Sequence, residues 1–187
     1  MFKTIKSLYR SVTEKDNIVS KPASAKTPKK SFYDLKIKNL TGKKEINFSD
    51  FAGKKVLLIN TASKCGYTPQ YEDWQQFHEK FGDKVVVIGL PANNFLAQES
   101  GTASQIEEFC QVNYGVSFTI TEKVSVLGSD KHPVYKWLSE EQKNGWNNLE
   151  PSWNFCKYLI NEKGELTHFF GSNIKPENPS FKKALGF

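Results

Sequence analysis

Several things are scarce in this 187-residue sequence, and each shortage excludes something. Arg10 is the only arginine, so beyond the first residues no planar guanidinium is present to clamp carboxylates or phosphates bidentately. Cysteines number three, at 65, 110 and 156. An odd count at these spacings fits neither a disulfide framework nor a metal-binding pattern, and no metal is expected. His78, His132 and His168 are scattered and read as surface or core residues. No run approaches the roughly 20 apolar residues of a membrane span. The first residues lack both a continuous apolar stretch and a small-residue cleavage site, so a secretory signal is not expected. Reduced thiols in the cytoplasm are the default, with organelle import through the basic N-terminus as the alternative.

What is present describes one folded domain with a basic arm. Hydrophobic residues make up 38% and aromatics 13%, enough for a core in a chain of this length. The net charge of +6 is uneven. Residues 1–31 hold seven Lys and Arg10 against Glu14 and Asp16, while the remainder balances to zero. Residues 1–31 are therefore expected to be a flexible tail and residues 32–187 the domain. Phe2, Ile5, Leu8, Tyr9 and Val12 have helical spacing, so membrane contact through this tail is an alternative. No nucleic-acid partner is expected of the neutral domain.

Hydrophobic patterning predicts an α/β fold. Residues 35–37 and 45–48 read as a hairpin. Residues 56–60 and 85–90 read as strands buried on both faces. Between them Tyr71, Trp74, Phe77 and Phe81 recur at helical spacing, with Thr68 and Pro69 as expected cap and first-turn residue. Thr102 and Gln105 predict a capping box for a second helix ending near Gly115. Residues 132–138 read as helical, 155–160 and 166–170 as a hairpin, and Asn178-Pro179 as the start of a last helix. A βαβ unit followed by a ββα unit in one mixed sheet with flanking helices is the thioredoxin-like arrangement.

Cys65 follows the first buried strand and precedes a helix, where open α/β sheets place their sites. A helix N-terminus and the adjacent Lys64 favour a thiolate there, and peroxide converts a thiolate to a sulfenic acid. The run Cys65-Gly66-Tyr67-Thr68 lacks the second cysteine of a C-x-x-C motif, so single-thiol chemistry is expected of it.

Three segments carry a resemblance to a known family. NTASKCGYTPQ (60–70), GLPANNFLAQESG (89–101) and SWNFCKYLI (152–160) resemble, in order and spacing, the signatures of the glutathione peroxidases. FCQVNYGVSF and HPVYKWL fit as well. The resemblance implies a peroxidase that reduces hydrogen peroxide and organic or lipid hydroperoxides, with no bound cofactor and a thiol co-substrate, glutathione or thioredoxin. It places the catalytic tetrad on Cys65, Gln98, Trp153 and Asn154. Indole and amide N–H groups aimed at sulfur would stabilise the thiolate and the departing oxygen. This reading requires a sulfur open to solvent and ringed by those donors. Lys64 is a candidate for attracting an anionic substrate, and Asn60 is expected to order the loop.

The second segment departs from the pattern at Ala92, usually cysteine, at Asn94 and at Ser100. The thiol that regenerates Cys65 is therefore expected from outside, with Cys110 and Cys156 as internal alternatives. Residue alternation in a strand would turn Cys156 the same way as Asn154. Fourteen residues separate Leu138 from Trp153, as in the short, monomeric members of the family. The competing readings are a peroxide sensor that relays oxidation from Cys65 to a partner protein, and a binding module using the tail.

Overall fold

The computed structural model describes residues 17–187. The residues with helical spacing near the N-terminus, and any membrane contact through them, lie outside the described residues. The main sheet consists of β1 (Ile18–Ser20), β4 (Lys55–Thr61), β5 (Val85–Pro91), β6 (Thr119–Ile120), β7 (Lys157–Ile160) and β8 (Leu166–Phe170). The strands lie in the order β1-β8-β7-β4-β5-β6. β2 (Lys36–Lys38) and β3 (Glu45–Asn47) form the expected separate hairpin. The helices are α1 (Gln70–Phe81), α2 (Ala103–Tyr114), α3 (Pro133–Ser139), α4 (Glu141–Asn144) and α5 (Pro179–Leu185).

β4 lies at the centre, parallel to β5 and antiparallel to β7. Its apolar run serves two cores because successive side chains point to opposite faces. Val56 and Leu58 join Tyr135, Trp137, Tyr158 and the buried Phe32 and Phe48 on one face. Leu57 and Ile59 join Tyr71, Trp74, Phe77, Ile106 and Phe181 on the other. Helices α1, α2 and α5 thus cover one face, and α3 with the N-terminal turns covers the other. Each fully buried large apolar side chain contributes roughly 1.5–3 kcal/mol. This is the thioredoxin-like architecture that the patterning predicts.

The domain extends further toward the N-terminus than expected. β1 pairs antiparallel with β8, and Lys21 N–H continues the pairing to Thr167 O at 2.7 Å. Lys26 N–H donates to Gly145 O, and Trp137 Nε1–H to Lys30 O, both at 3.0 Å. Residues 17–31 therefore lie against the domain rather than forming part of a free tail. The physical reason is the exposed edge that β8 would otherwise present, which a short strand can cover.

Candidate active site

The first site segment is a loop closed on itself by Thr68. Thr68 Oγ1 accepts the Cys65 N–H at 3.0 Å and donates to Ala62 O at 2.8 Å, and Thr68 N–H returns to Cys65 O at 3.0 Å. Thr68 was expected to cap α1. It instead clasps the loop, and Pro69 occupies the cap position with no side-chain bond. The clasp places Cys65 just before the N-terminal turn of α1, and Tyr67 N–H points at Cys65 Sγ at 3.4 Å.

The second segment follows β5. Gln98 O accepts Lys64 N–H at 3.0 Å, which ties this loop to the residue beside the nucleophile. Leu96 and Ala97, just before it, have φ of +50° and +52°, an uncommon conformation for residues with a side chain. The third segment precedes β7. Asn60 Nδ2 donates to Trp153 O at 2.9 Å, and Asn60 O accepts Phe155 N–H at 2.6 Å. Asn60 therefore holds the end of β4 to the Trp153–Asn154 turn, the ordering role expected of it. Phe155 has φ +64°, and the reversal directs Asn154 to Gln98, where Nδ2 donates to Oε1 at 2.7 Å.

The structure thus brings the four expected residues to one edge of the sheet. Gln98 and Asn154 bond directly, the Cys65 loop bonds to the Gln98 backbone, and Trp153 packs in the apolar cluster that holds Cys65. The Trp153 ring also lies 5.4 Å from that of Phe95. Two details differ from expectation. Cys65 is 8% exposed rather than open, because the Thr68 clasp holds its loop against the apolar cluster on that face of the sheet. The sulfur is met by a backbone amide rather than by a ring of side chains, because the Asn154 amide is spent on Gln98. Gln98 Nε2 and Trp153 Nε1 have no protein acceptor among the described residues, so both donors remain for a bound oxygen.

Lys64 is exposed, and its Nζ donates to Ser100 Oγ at 2.9 Å. It pins the two loops together at the rim of the site. Ala92 is fully buried. The other thiols lie on opposite faces of the sheet. Cys110 belongs to the cluster that contains Cys65, and burial pushes its thiol up to about 11. Cys156 belongs to the other cluster, with Ser152 Oγ at 3.7 Å and Ser172 Oγ at 3.5 Å. The expectation that Cys156 faces the same way as Asn154 fails, because the reversal at Phe155 interrupts strand alternation between them. A Cys65–Cys156 bridge has no geometric basis.

Thr68 and Glu99 are site residues that sequence reading did not single out as such. Thr68 was visible but has two competing uses, helix cap and loop clasp. Glu99 is 1% exposed, a burial that nothing in its loop sequence signals.

The family model for glutathione peroxidase matches residues 32–139. A glutathione peroxidase-like peroxiredoxin of Saccharomyces cerevisiae is 42% identical over 151 residues, covering 79% of this chain and 91% of that protein. A hydroperoxy fatty acid reductase of Synechocystis is 40% identical over 136 residues, covering 68% and 79%. Among solved structures, one described as Trgpx in apo form superimposes with a TM-score of 0.64 at 34% identity, over 85% of this chain and 97% of that one. The chain belongs to the glutathione peroxidase family.

Proposed function

We propose that the protein is a thiol-dependent peroxidase in which Cys65 is the nucleophile. The thiolate attacks one peroxide oxygen, an S–O bond forms, the O–O bond breaks, and the departing oxygen takes a proton to leave as water or alcohol. Gln98 Nε2 and Trp153 Nε1 are the donors that stabilise charge on that oxygen. The observation that carries this reading is the double tie at Gln98, whose backbone oxygen holds the Cys65 loop while its side chain holds Asn154. A relay that senses peroxide without turning over is not favoured.

The rim supports bulky substrates. Leu96 is 78% exposed and Tyr67 37%, on the loops that carry Gln98 and Cys65. Such an apolar rim suits organic and lipid hydroperoxides as well as hydrogen peroxide, and the Synechocystis relative is named for reducing hydroperoxy fatty acids. The short span between Leu138 and Trp153 supports a monomer.

Regeneration requires a thiol. An external small thiol such as glutathione reaches the sulfenic acid directly, with the exposed Lys64 next to Cys65 in sequence as a cation for its carboxylates. A second reading is favoured by Cys110 sharing the Cys65 cluster. Its thiol condenses with the sulfenic acid, releases water and leaves a disulfide for a thioredoxin-type protein. Cys110 is 2% exposed, so this route requires α2 to loosen and uncover it. Steady-state peroxidase assays with glutathione and thioredoxin, run on wild type, Cys65→Ser and Cys110→Ser, test both. Turnover surviving Cys65→Ser overturns the whole reading. A Cys65–Cys110 bridge in peptide maps, with thioredoxin turnover lost in Cys110→Ser, selects the second route. Sulfenic acid with no bridge selects the first.

A further inference from the structure

A group of buried polar atoms beneath the nucleophile loop has no role in the chemistry described above. Glu99, Thr61 and Tyr71 are 1%, 1% and 0% exposed. Both Glu99 carboxyl oxygens, Thr61 Oγ1, Tyr71 OH and Ser63 Oγ are buried without a hydrogen-bond partner. They come from three elements that meet at the site: the end of β4 with its loop, the start of α1, and the loop after β5. Such atoms are costly to leave unpaired, by roughly 1–3 kcal/mol each, so a cluster of them points to a use.

The carboxyl is the centre of the group. The Ser63 hydroxyl and amide face it and favour its charged form without closing to hydrogen-bonding geometry. Tyr71 from α1 and Cys110 from α2 also face it, and Lys123 and Lys64 supply positive charge from the rim. Lys123 Nζ itself donates to Glu99 O at 2.9 Å and Gly101 O at 2.7 Å. Glu99 N–H donates to Asn93 Oδ1 at 2.9 Å, so the backbone that carries the carboxyl is fixed. Ser63 lies two residues before Cys65, within the Thr68 clasp.

We propose that Glu99 is a positioning residue for Cys65: the Lys64 N–H bond to Gln98 O at 3.0 Å sets the two loops side by side, and the charge of the buried carboxylate keeps the Ser63 hydroxyl and amide turned toward it, and with them the nucleophile loop in its reactive geometry. The inference rests on Cys65 being the nucleophile. An anion buried this far needs donors, and Ser63 presents two of them. Protonation of the carboxyl leaves it a weaker acceptor and releases the loop. Desolvation holds the Glu99 pKa above the ordinary carboxylate value of 4.5, so the release comes at higher pH than for an exposed carboxyl.

The test is the second-order rate of Cys65 oxidation by hydrogen peroxide in the reduced full-length protein, followed from pH 4.5 to 8. In wild type the rate is expected to fall as pH drops, with a limb that belongs to the Glu99 carboxyl. Glu99→Gln should slow the reaction about 10- to 100-fold at pH 7 and remove the carboxyl limb from the profile. A merely structural role would lower the rate without changing the shape of the profile. Ser63→Ala, a milder change, should slow the reaction severalfold, and its effect should not multiply with that of Glu99→Gln. A Glu99→Gln protein with the wild-type rate or an unchanged profile overturns the proposal. So does a wild-type rate in Ser63→Ala, which also decides the matter if Glu99→Gln does not fold. If wild-type Cys65 itself resists peroxide, the peroxidase reading fails first, and the two failures are told apart.

Discussion

Replacing Lys157 with methionine should destabilise the fold by about 1–3 kcal/mol near pH 7 and slow peroxide reduction, although Lys157 bonds to none of the four site residues. The side chain is completely buried. Its Nζ donates to Gln70 Oε1 at 3.0 Å, Ser172 O at 3.1 Å, Gly171 O at 3.4 Å and Ile174 O, and lies 5.3 Å from the centre of the Trp74 ring. Methionine fills similar volume but donates nothing. Gln70 Oε1 would keep Trp74 Nε1 at 3.2 Å, and Ser172 O would keep Gln70 Nε2 at 2.6 Å. Gly171 O would keep Ile174 N–H at 3.2 Å, so Ile174 O alone would be left without its donor, at roughly 1–3 kcal/mol, partly offset by no longer burying an ammonium. Gln70 opens α1 five residues after Cys65, so loosening it reaches the nucleophile loop. The sign of the pH dependence follows from the burial that pushes Lys157 down from 10.5 to about 7. Between those values the unfolded chain holds a proton that the native protein has shed, so wild-type stability rises with pH there, by at most about 1.4 kcal/mol per unit. Below about 7 both states are protonated and the contribution is flat. The oxygen cage favours the ammonium and moves the onset of that rise to higher pH. Urea denaturation of both proteins at pH 6, 7 and 9 should show the deficit of the variant widening from pH 7 to 9. Equal midpoints, or parallel curves across this range, would refute the reasoning.

Other perturbations test the site and the edge. Asn154→Ala and Gln98→Ala should each lower kcat/KM by about 10- to 100-fold. The double variant should be little worse than either, since the two amides share one bond of 2.7 Å, as a double-mutant cycle on initial rates will report. Thr68→Val keeps the shape but removes the clasp on Cys65 N–H and Ala62 O; it should cost about 1–3 kcal/mol in denaturant titration and lower activity more than it lowers stability. Deleting residues 1–31 removes β1 and bares the edge of β8, and light scattering should detect self-association that the full chain does not show.

The long periodic elements could be read from sequence because their signals are redundant. Tyr71, Trp74 and Phe77 mark the buried face of α1, and all three are 5% exposed or less. Thr102 and Gln105 form the predicted capping box, and Gly115 closes α2 at φ +58°. β1 and β6 escaped because two or three residues carry no period. The joint placement of Cys65, Gln98 and Asn154 was legible only through the three family-like segments, since no local pattern connects positions so far apart. The direction of Cys156 was misread for a physical reason. Alternation holds along a continuous strand, and Phe155 in the left-handed region is not part of one.

The same backbone reversal explains why these segments meet at all. β4 and β5 are parallel, so Cys65 and Gln98, which follow them, leave the sheet through one edge. A third partner from another parallel strand would likewise have to follow that strand. β7 runs antiparallel to β4, so residues preceding it arrive at that same edge, and Trp153 and Asn154 stand just before it. The join must turn sharply to bring an amide onto Gln98 and still start pairing at Lys157. Phe155 makes that turn in a conformation that costs a residue with a side chain roughly 1–2 kcal/mol. The N–H bond to Asn60 O and the complete burial of the ring offset that cost. Asn60 is itself a residue of β4, so the central strand that presents Cys65 also secures the turn that presents Trp153 and Asn154. The strength of the site therefore rests on one strand bonded on both sides.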